Sequence, residues 1–150
     1  MTKREVKHRI LLKELIDRVS ILGDRKDFRA QVMLFTENAI SDTFAGGKEI
    51  LKLKGRVEME RAFKRFLSKF ETVYHFNGQQ VVEIDGDFAR GTCYCLVTLV
   101  GIEEDRTMKT TIGAIYQDEY KREKNHWLIS KRIGNFNWLE KLEVLIKKRH

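Results

Sequence analysis

Apolar residues recur at helical spacing through the first part of the chain. Residues 5 to about 22 predict an amphipathic helix with charged residues between its apolar positions Leu12, Leu15, Ile16, Val19 and Leu22. Gly23 favours a C-terminal cap there. A second, shorter helix follows over residues 24–35, with Asp24 or Asp27 as its N-cap. Each of these two helices has one apolar side, which must be buried against another layer of the protein.

A third helix is predicted after Gly55. Its apolar residues form a largely aromatic stripe at helical spacing, and we expect this stripe to face a sheet: Met59, Phe63, Phe66, Leu67 and Phe70. Residues 36–55 between the helices read as a strand and loop region with a turn at Gly46-Gly47.

From residue 72 onwards apolar residues recur at every second position instead of at helical spacing, and this alternation is typical of strands. Turn signals stand at Asn77-Gly78 and Asp85-Gly86-Asp87, with a short strand between them. Longer strands are predicted over 88–100, 108–120 and 127–136, and Trp138 opens a basic amphipathic C-terminal helix. Helices followed by a run of strands predict an α+β domain with helices on one face of a curved antiparallel sheet.

The composition suits one soluble domain spanning residues 1–150. Apolar residues make up 42% and charged residues 34%, and no apolar run approaches the roughly 20 residues of a membrane span. The net charge is +7, but its excess is concentrated in basic terminal tails at about 1–4 and 147–150 and in nearby residues. We therefore expect neither a membrane nor a nucleic-acid partner.

Two cysteines, Cys93 and Cys95, stand two residues apart on a predicted strand. They show no disulfide framework and no matching metal-ligand cluster, so reduced thiols in a cytoplasmic protein, without a metal, are the expectation.

The order of predicted elements resembles the nuclear-transport-factor-2-like, or cystatin-like, cone-shaped fold. Particular segments are similar to the SnoaL-like branch that contains scytalone dehydratase and hexachlorocyclohexane dehydrochlorinase. Those segments are Asp24-Arg25-Lys26-Asp27, His75-Phe76-Asn77-Gly78, Val82 to Asp87, Tyr116-x-Asp118-x-Tyr120, and Trp127 with Trp138. The resemblance covers nearly the whole chain. It implies a curved antiparallel or mixed sheet, with N-terminal helices packed on it, enclosing a pocket.

The resemblance also implies a set of site residues. In those two enzymes an Asp and a His form a catalytic dyad, and the matching positions here are Asp24 and His75. The two pocket tyrosines of the dehydratase would fall at Gly23 and near Thr43, so scytalone itself is not the expected substrate. The implied inward-facing residues, which would line the substrate site, are Cys93, Cys95, Val97, Ile112, Ala114, Tyr116, Arg132 and Phe136.

Residue chemistry supports the same hypothesis. A neutral imidazole can take a proton near pH 7, and a carboxylate on its other nitrogen fixes the tautomer and stabilises the cation. The alternative is that Asp24 only caps a helix and His75 is an ordinary half-buried strand residue.

The other candidates also have two interpretations. Arg132 would need a buried partner, either a ligand anion or Asp24, unless it is exposed on a misjudged face. Tyr116 could donate to a substrate oxygen or simply pack. Cys93 and Cys95 read as wall residues rather than nucleophiles.

Three functions follow in order of preference. The first is a cofactor-independent lyase, dehydratase or isomerase acting on a small hydrophobic, aromatic or cyclic substrate, with His75 as general base. The second is a non-catalytic ligand-binding or dimeric scaffold domain of the same fold. The third is a nucleic-acid or protein adaptor using the basic ends. A homodimer or higher oligomer packed through the outer faces of the long strands is expected from the resemblance.

Overall fold

A computed structural model of the chain describes residues 1–145. Three helices precede or interrupt the strands: α1 Lys3–Asp24, α2 Phe28–Val32 and α3 Arg56–Leu67. Six strands follow in chain order: β1 Phe35–Ala45, β2 Lys48–Lys54, β3 Thr72–Asp85, β4 Phe88–Glu103, β5 Arg106–Glu123 and β6 His126–Glu143. Of the helices in this part of the chain, none combines the length and apolar character needed to cross a membrane.

The strands form one mixed sheet in the order β2-β1-β6-β5-β4-β3. All neighbours are antiparallel except β1 and β6, which run parallel. The helices pack against this curved sheet, so the predicted α+β architecture is confirmed. The long strands β3 to β6 pair consecutively. Within each strand, side chains two residues apart lie on the same face.

Helix α1 begins two residues before its predicted start. Thr2 is its N-cap, and the Thr2 side chain accepts a hydrogen bond from the Glu5 backbone nitrogen at 3.1 Å. Lys3 and Arg4 lie in the exposed first turn. The predicted apolar side is buried, with Leu12 and Ile16 fully inaccessible, and α1 packs mainly on β3.

Helix α3 differs from its prediction in part. Met59 is fully buried and Phe63 packs on the main core, but Phe66 is 48% exposed. The helix packs chiefly on α2, β1 and β2 at the edge of the sheet, so only a narrow side of it is covered. The prediction that the whole aromatic stripe is buried was therefore wrong at Phe66. Leu67 and Phe70 pack against a second apolar cluster.

The predicted turn at Asn77-Gly78 is a bulge instead. Strand β3 continues to Asp85, with its register against β4 shifting between Asn77 and Gln80. The Asn77 amide donates to Ser20 Oγ at 2.9 Å and to Asp17 Oδ1 at 3.1 Å, both on α1. These bonds tie the middle of β3 to α1, and the chain runs on rather than reversing.

The predicted C-terminal helix from Trp138 was wrong as far as Glu143. Strand β6 continues to that residue because the first half of β5 offers a free edge, and Trp138 to Glu143 pair with Gly113 to Met108. Backbone pairing with a neighbouring strand outweighs the local helical spacing. Residues 144–145 are not helical either, and residues 146–150, which include the basic tail at 147–150, lie outside the described residues.

Two apolar clusters fill the space under the sheet. The main cluster lies between α1, α2, α3 and the sheet, and its fully buried side chains include Phe35, Met59, Tyr120 and Ile129. The second cluster lies near His75 and comprises Val73, Cys95, Val97, Leu99, Ile112 and Ala114, with Leu67, Phe70, Tyr116 and Phe136 partly buried against it.

Candidate active site

Asp24 and His75 meet where α1 ends beside β3. The His75 ring nitrogen Nδ1 is 2.7 Å from Asp24 Oδ1, and the His75 backbone nitrogen donates to the same oxygen at 3.0 Å. Asp27, rather than Asp24, caps α2, because its side chain accepts from the Ala30 backbone nitrogen. The Asp24 carboxylate is therefore not used as a helix cap.

This geometry determines how the imidazole is presented. A carboxylate accepts hydrogen bonds, so the neutral ring carries its proton on Nδ1 and has its lone pair on Nε2. Within residues 1–145, Nε2 has no hydrogen-bond partner. The two side chains are 17% and 24% exposed, so the pair is sheltered but still reachable.

The second apolar cluster provides the surroundings of His75. In the sheet His75 pairs with Val97, and Val97 pairs with Ile112 on the next strand. The adjacent row runs from Asn77 through Cys95 and Ala114 to Phe136. On β4 and β5 the expected inward residues Cys95, Val97, Ile112 and Ala114 are buried, while Phe136 on β6 is half-buried. They set a mostly apolar wall beside the imidazole.

Arg132 has a protein partner, but it is neither a ligand anion nor Asp24. Its Nε and Nη2 donate to the two carboxylate oxygens of Asp118 at 2.8 and 2.9 Å. Asp118 is fully buried, and Tyr120 donates to it at 2.9 Å. Burial works to lower the pKa of Arg132, but the Asp118 carboxylate outweighs it, so the pKa is raised and the cation is held.

Tyr116 lies between this ion pair and the second cluster. The Arg132 guanidinium carbon is 4.1 Å from the Tyr116 ring centre, in cation–π contact. Burial raises the pKa of the Tyr116 phenol, while Arg132 opposes that rise. The phenol therefore stays protonated over the physiological range and can only donate or accept a hydrogen bond.

The two cysteines have the properties of wall residues. Cys93 and Cys95 are free and buried. Burial raises the pKa of the Cys93 thiol to about 11 and that of the Cys95 thiol to about 12, with Arg132 opposing in both cases. Very little thiolate exists near neutral pH, and thiolate is the nucleophilic form.

Sequence reasoning missed the buried polar residues of the interior, which include Asp118 and Gln31. Asp118 follows Ile112, Ala114 and Tyr116 along β5 at intervals of two residues. The alternation of the strand therefore predicts that Asp118 lies on the inner face with them. Gln31 is 7% exposed and follows Phe28 by three residues on the buried side of α2. Within the described part of the chain, no three His, Cys, Asp or Glu side chains form a metal-binding group.

Two open grooves lie on the outer face of the sheet, away from His75. One of about 270 Å³ is bordered by Phe76, Tyr94, Leu96 and Trp138. A more polar one of about 410 Å³ is bordered by Glu83, Arg90, Glu119 and Lys131. We call the first the outer apolar groove.

Comparison with known proteins agrees with this fold. Residues 4–133 match the model of the SnoaL-like domain. The chain belongs to this family. Among curated proteins, no sequence matches the chain.

Solved structures with the same fold share few residues with the chain. A hexachlorocyclohexane dehydrochlorinase, LinA-type3 from Novosphingobium barchaimii, is 19% identical, covers 92% of each chain and has a TM-score of 0.75. A Novosphingobium aromaticivorans protein named provisionally as a scytalone dehydratase is 14% identical over 98% of this chain and 94% of its own, with a TM-score of 0.81. A protein from the same organism, described as NTF2-like with a cystatin-like fold, is 22% identical over 89% of this chain and 84% of its own, with a TM-score of 0.71. The expected fold and superfamily are confirmed.

Proposed function

We propose that the chain is a cofactor-independent lyase that removes a small group from a hydrophobic, aromatic or cyclic substrate, with His75 as general base. One observation carries this proposal: Asp24 Oδ1 binds both Nδ1 and the backbone nitrogen of His75. A base must have a defined lone pair and a fixed direction, and these two contacts provide both.

The elimination needs only the residues described. His75 Nε2 takes a proton from the carbon next to the one that bears the leaving group. The electrons of that C–H bond form the second carbon–carbon bond, and the leaving group departs with its bonding pair. When the leaving group is hydroxyl, the imidazolium returns the proton to the departing oxygen, so water forms and the neutral ring is restored. When it is halide, the halide leaves as an anion and the imidazolium gives its proton to solvent water, which restores the neutral ring.

Isomerisation is the related outcome with the same residues. If no leaving group stands on the adjacent carbon, the imidazolium can return its proton to a different atom of the substrate. Substrates with an acidic C–H beside a carbonyl fit this scheme, since the carbanion is then an enolate. Tyr116 is a neutral hydrogen-bond donor on the inner face of β5, and we assign it the contact with an enolate oxygen.

The apolar wall supports the choice of substrate class. Val97, Ile112 and Phe136 offer carbon surface beside the base, and surroundings with little water strengthen the interaction of Asp24 with an imidazolium. The relatives named a dehydrochlorinase and, provisionally, a scytalone dehydratase share this fold. Elimination of water or halide from a ring is therefore the reaction class to test first.

The experiment is a turnover screen with small hydroxy-ketones, epoxides and halogenated rings, run on the wild type and on His75→Ala. Product formation by the wild type that falls sharply in the variant supports the proposal. Turnover that does not depend on His75 would refute its role as base. Binding of these compounds with no turnover would favour a ligand-binding domain.

We also propose that the chain forms a homodimer through the outer face of the sheet. The outer apolar groove is bordered by exposed large side chains, with Phe76 at 61%, Leu96 at 45% and Trp138 at 49%. An exposed apolar strip of this kind marks an interaction surface. In a twofold dimer the same surface of both copies forms the interface, so the apolar strip of one copy would pack against the apolar strip of the other.

A further inference from the structure

The chain leaves helix α1 through a lysine in a backbone conformation that favours glycine. The backbone nitrogens of Lys26 and Asp27 donate to the carbonyl oxygens of Gly23 and Leu22 at 3.0 and 2.9 Å. These two bonds form a Schellman motif, in which the residue after the helix cap is left-handed and is most often glycine. Lys26 occupies that position with a φ of 59°. A side chain is unfavourable there, so we expect it to make a compensating interaction.

The Lys26 side chain makes that interaction with a distant segment. Its ammonium group donates to the backbone carbonyl oxygen of Phe70, in the connection between α3 and β3. The Phe70 ring itself packs on the sheet, because a Cβ built on Gly101 of β4 would stand 3.1 Å from Phe70 Cδ1. Lys26 therefore joins the turn after α1 to a connection that is anchored on β4.

This link lies close to the Asp24–His75 pair along both segments. Asp24 is the last residue of α1, two residues before Lys26, and His75 lies near the start of β3, which follows Phe70. The end of α1 and the start of β3 are thus joined twice, once by the pair and once by the bond from Lys26 to Phe70. A hydrogen bond from an ammonium group is stronger than one between neutral groups.

We propose that Lys26 is a positioning residue, which holds the Asp24 carboxylate against His75 through its bond to the Phe70 carbonyl oxygen. The ammonium group acts through Asp24. Its effect on turnover rests on the proposed function, whereas its effect on the pair does not. Without this bond the turn after α1 loses its attachment to the α3–β3 connection, and the left-handed lysine is no longer compensated. Asp24 then separates from His75 more often.

The backbone amide of His75 measures this contact directly, because it donates to Asp24 Oδ1 at 3.0 Å. Its hydrogen exchange, followed by NMR, reports how often the pair opens. In Lys26→Met, which keeps an unbranched side chain but removes the ammonium group, we expect exchange at His75 to be at least about tenfold faster, the lower end of the contribution of a charged hydrogen bond. Lys26→Arg keeps a cationic donor and should restore most of the protection.

The matched control is Lys124→Met. Lys124 also has a positive φ, of 49°, but its side chain forms no hydrogen bond within residues 1–145, so exchange at His75 should stay at the wild-type rate. A second variant, Lys26→Gly, suits the left-handed position and keeps the test decisive if Lys26→Met fails to fold. If the conformation of the turn alone holds Asp24, exchange in Lys26→Gly will be no faster than in the wild type. We expect it to be faster.

Two results would overturn the proposal. One is wild-type exchange at His75 in the Lys26→Met and Lys26→Gly proteins. The other is faster exchange that the amide of Val97, paired in the interior of the sheet, shares to the same degree, because such a change is a loss of global stability.

Turnover separates this inference from the proposed function. On a substrate found in the screen, Lys26→Met should lower kcat by less than Asp24→Asn does and leave KM unchanged, because the carboxylate is displaced part of the time rather than removed. Faster exchange at His75 together with turnover that does not depend on His75 supports the positioning role and refutes the base. Turnover that depends on His75, with wild-type exchange in the Lys26 variants, refutes only the positioning role.

Discussion

Asp24 contacts His75 twice through one oxygen, at 2.7 Å to the ring nitrogen Nδ1 and 3.0 Å to the backbone nitrogen. The backbone bond fixes where the carboxylate stands, and the side-chain bond fixes how the ring is turned. Asp24 is thereby attached to strand β3 as well as to α1. The pair is one unit, so its members should respond together to substitution.

The first prediction concerns the tautomer of His75. In Asp24→Asn the carboxylate is replaced by an amide, which can turn either its oxygen or its nitrogen to the ring, so the preference for a proton on Nδ1 should weaken. Long-range proton–nitrogen NMR spectra of the neutral ring should show Nε2 unprotonated in the wild type and a mixture in the variant. Exposed His126 provides an internal control that should not change. A wild-type ring with its proton on Nε2 would contradict the assignment.

The second prediction concerns the buried ion pair. Asp118→Asn leaves the Arg132 cation buried without its charged partner, and should lower the free energy of unfolding by about 3 kcal/mol. Urea denaturation measures this loss. Replacing both residues, as in Asp118→Leu with Arg132→Met, should recover part of it because no unpaired charge then remains.

The matched control is Glu83→Gln, which breaks the pair with Arg90. Those side chains are 72% and 76% exposed, so the change should cost less than about 1 kcal/mol. Equal losses in Asp118→Asn and Glu83→Gln would show that the Asp118–Arg132 pair is not a buried one in solution.

The third prediction concerns acid stability and His8. Trp127 Nε1 donates to His8 Nδ1 at 3.0 Å, and Arg122 Nη1 lies 3.1 Å from His8 Nε2, so both ring nitrogens face donors. Burial, followed by the charge of Arg122, lowers the pKa of His8 below its usual 6.5, and nearby Asp87 opposes this only weakly.

The sign of the effect follows from proton linkage. Since the folded-state pKa is the lower one, the unfolded chain binds more protons as pH falls below about 6.5, and stability is lost until the folded-state pKa is passed. The free energy of unfolding should therefore decrease from pH 7 to 5.5 in the wild type. His8→Gln should reduce that slope, whatever its effect on stability at pH 7. An unchanged slope in the variant would assign the pH dependence to other groups.

The fourth prediction concerns assembly. Light scattering should give twice the 17.7 kDa chain mass for the wild type. Leu96→Lys should give monomers, because a charge at the centre of the outer apolar groove opposes its burial. Val57→Lys, at a 72% exposed position on α3, should remain dimeric. A monomeric wild type at micromolar concentration would end this proposal.

Much of the fold could be predicted because local periodicity and tertiary packing agree. In α1, Leu12 and Ile16 lie on the face that the helical spacing selected. In β4, the alternate residues Cys93, Cys95 and Val97 are buried as the strand period requires. Local periodicity fails where pairing with a distant segment is more favourable. Residues Trp138 to Glu143 pair with β5 in the sheet, although the spacing of their apolar residues favours a helix.

The candidate site was predictable to a smaller extent. The pairing of Asp24 with His75 joins residues 51 positions apart, and only the resemblance pointed to it. The partner of Arg132 could have been found, since alternation along β5 places Asp118 on the same face as Tyr116. The buried Gln31 amide has one orientation, in which Nε2 donates to the Val19 carbonyl oxygen and Oε1 has no hydrogen-bond partner within residues 1–145. No spacing in the sequence encodes that orientation.

In the proposed function, His75 removes a proton from the substrate. The most direct measurement is the turnover of His75→Ala relative to wild type on a substrate found in the screen, with folding of the variant checked by thermal unfolding. We expect a normally folded variant whose turnover is lower by roughly 10²–10⁴-fold, the usual contribution of general base catalysis. Asp24→Asn should also be impaired, with a combined loss smaller than the product of the two. A folded His75→Ala protein that turns the substrate over at the wild-type rate would show that His75 is not the base.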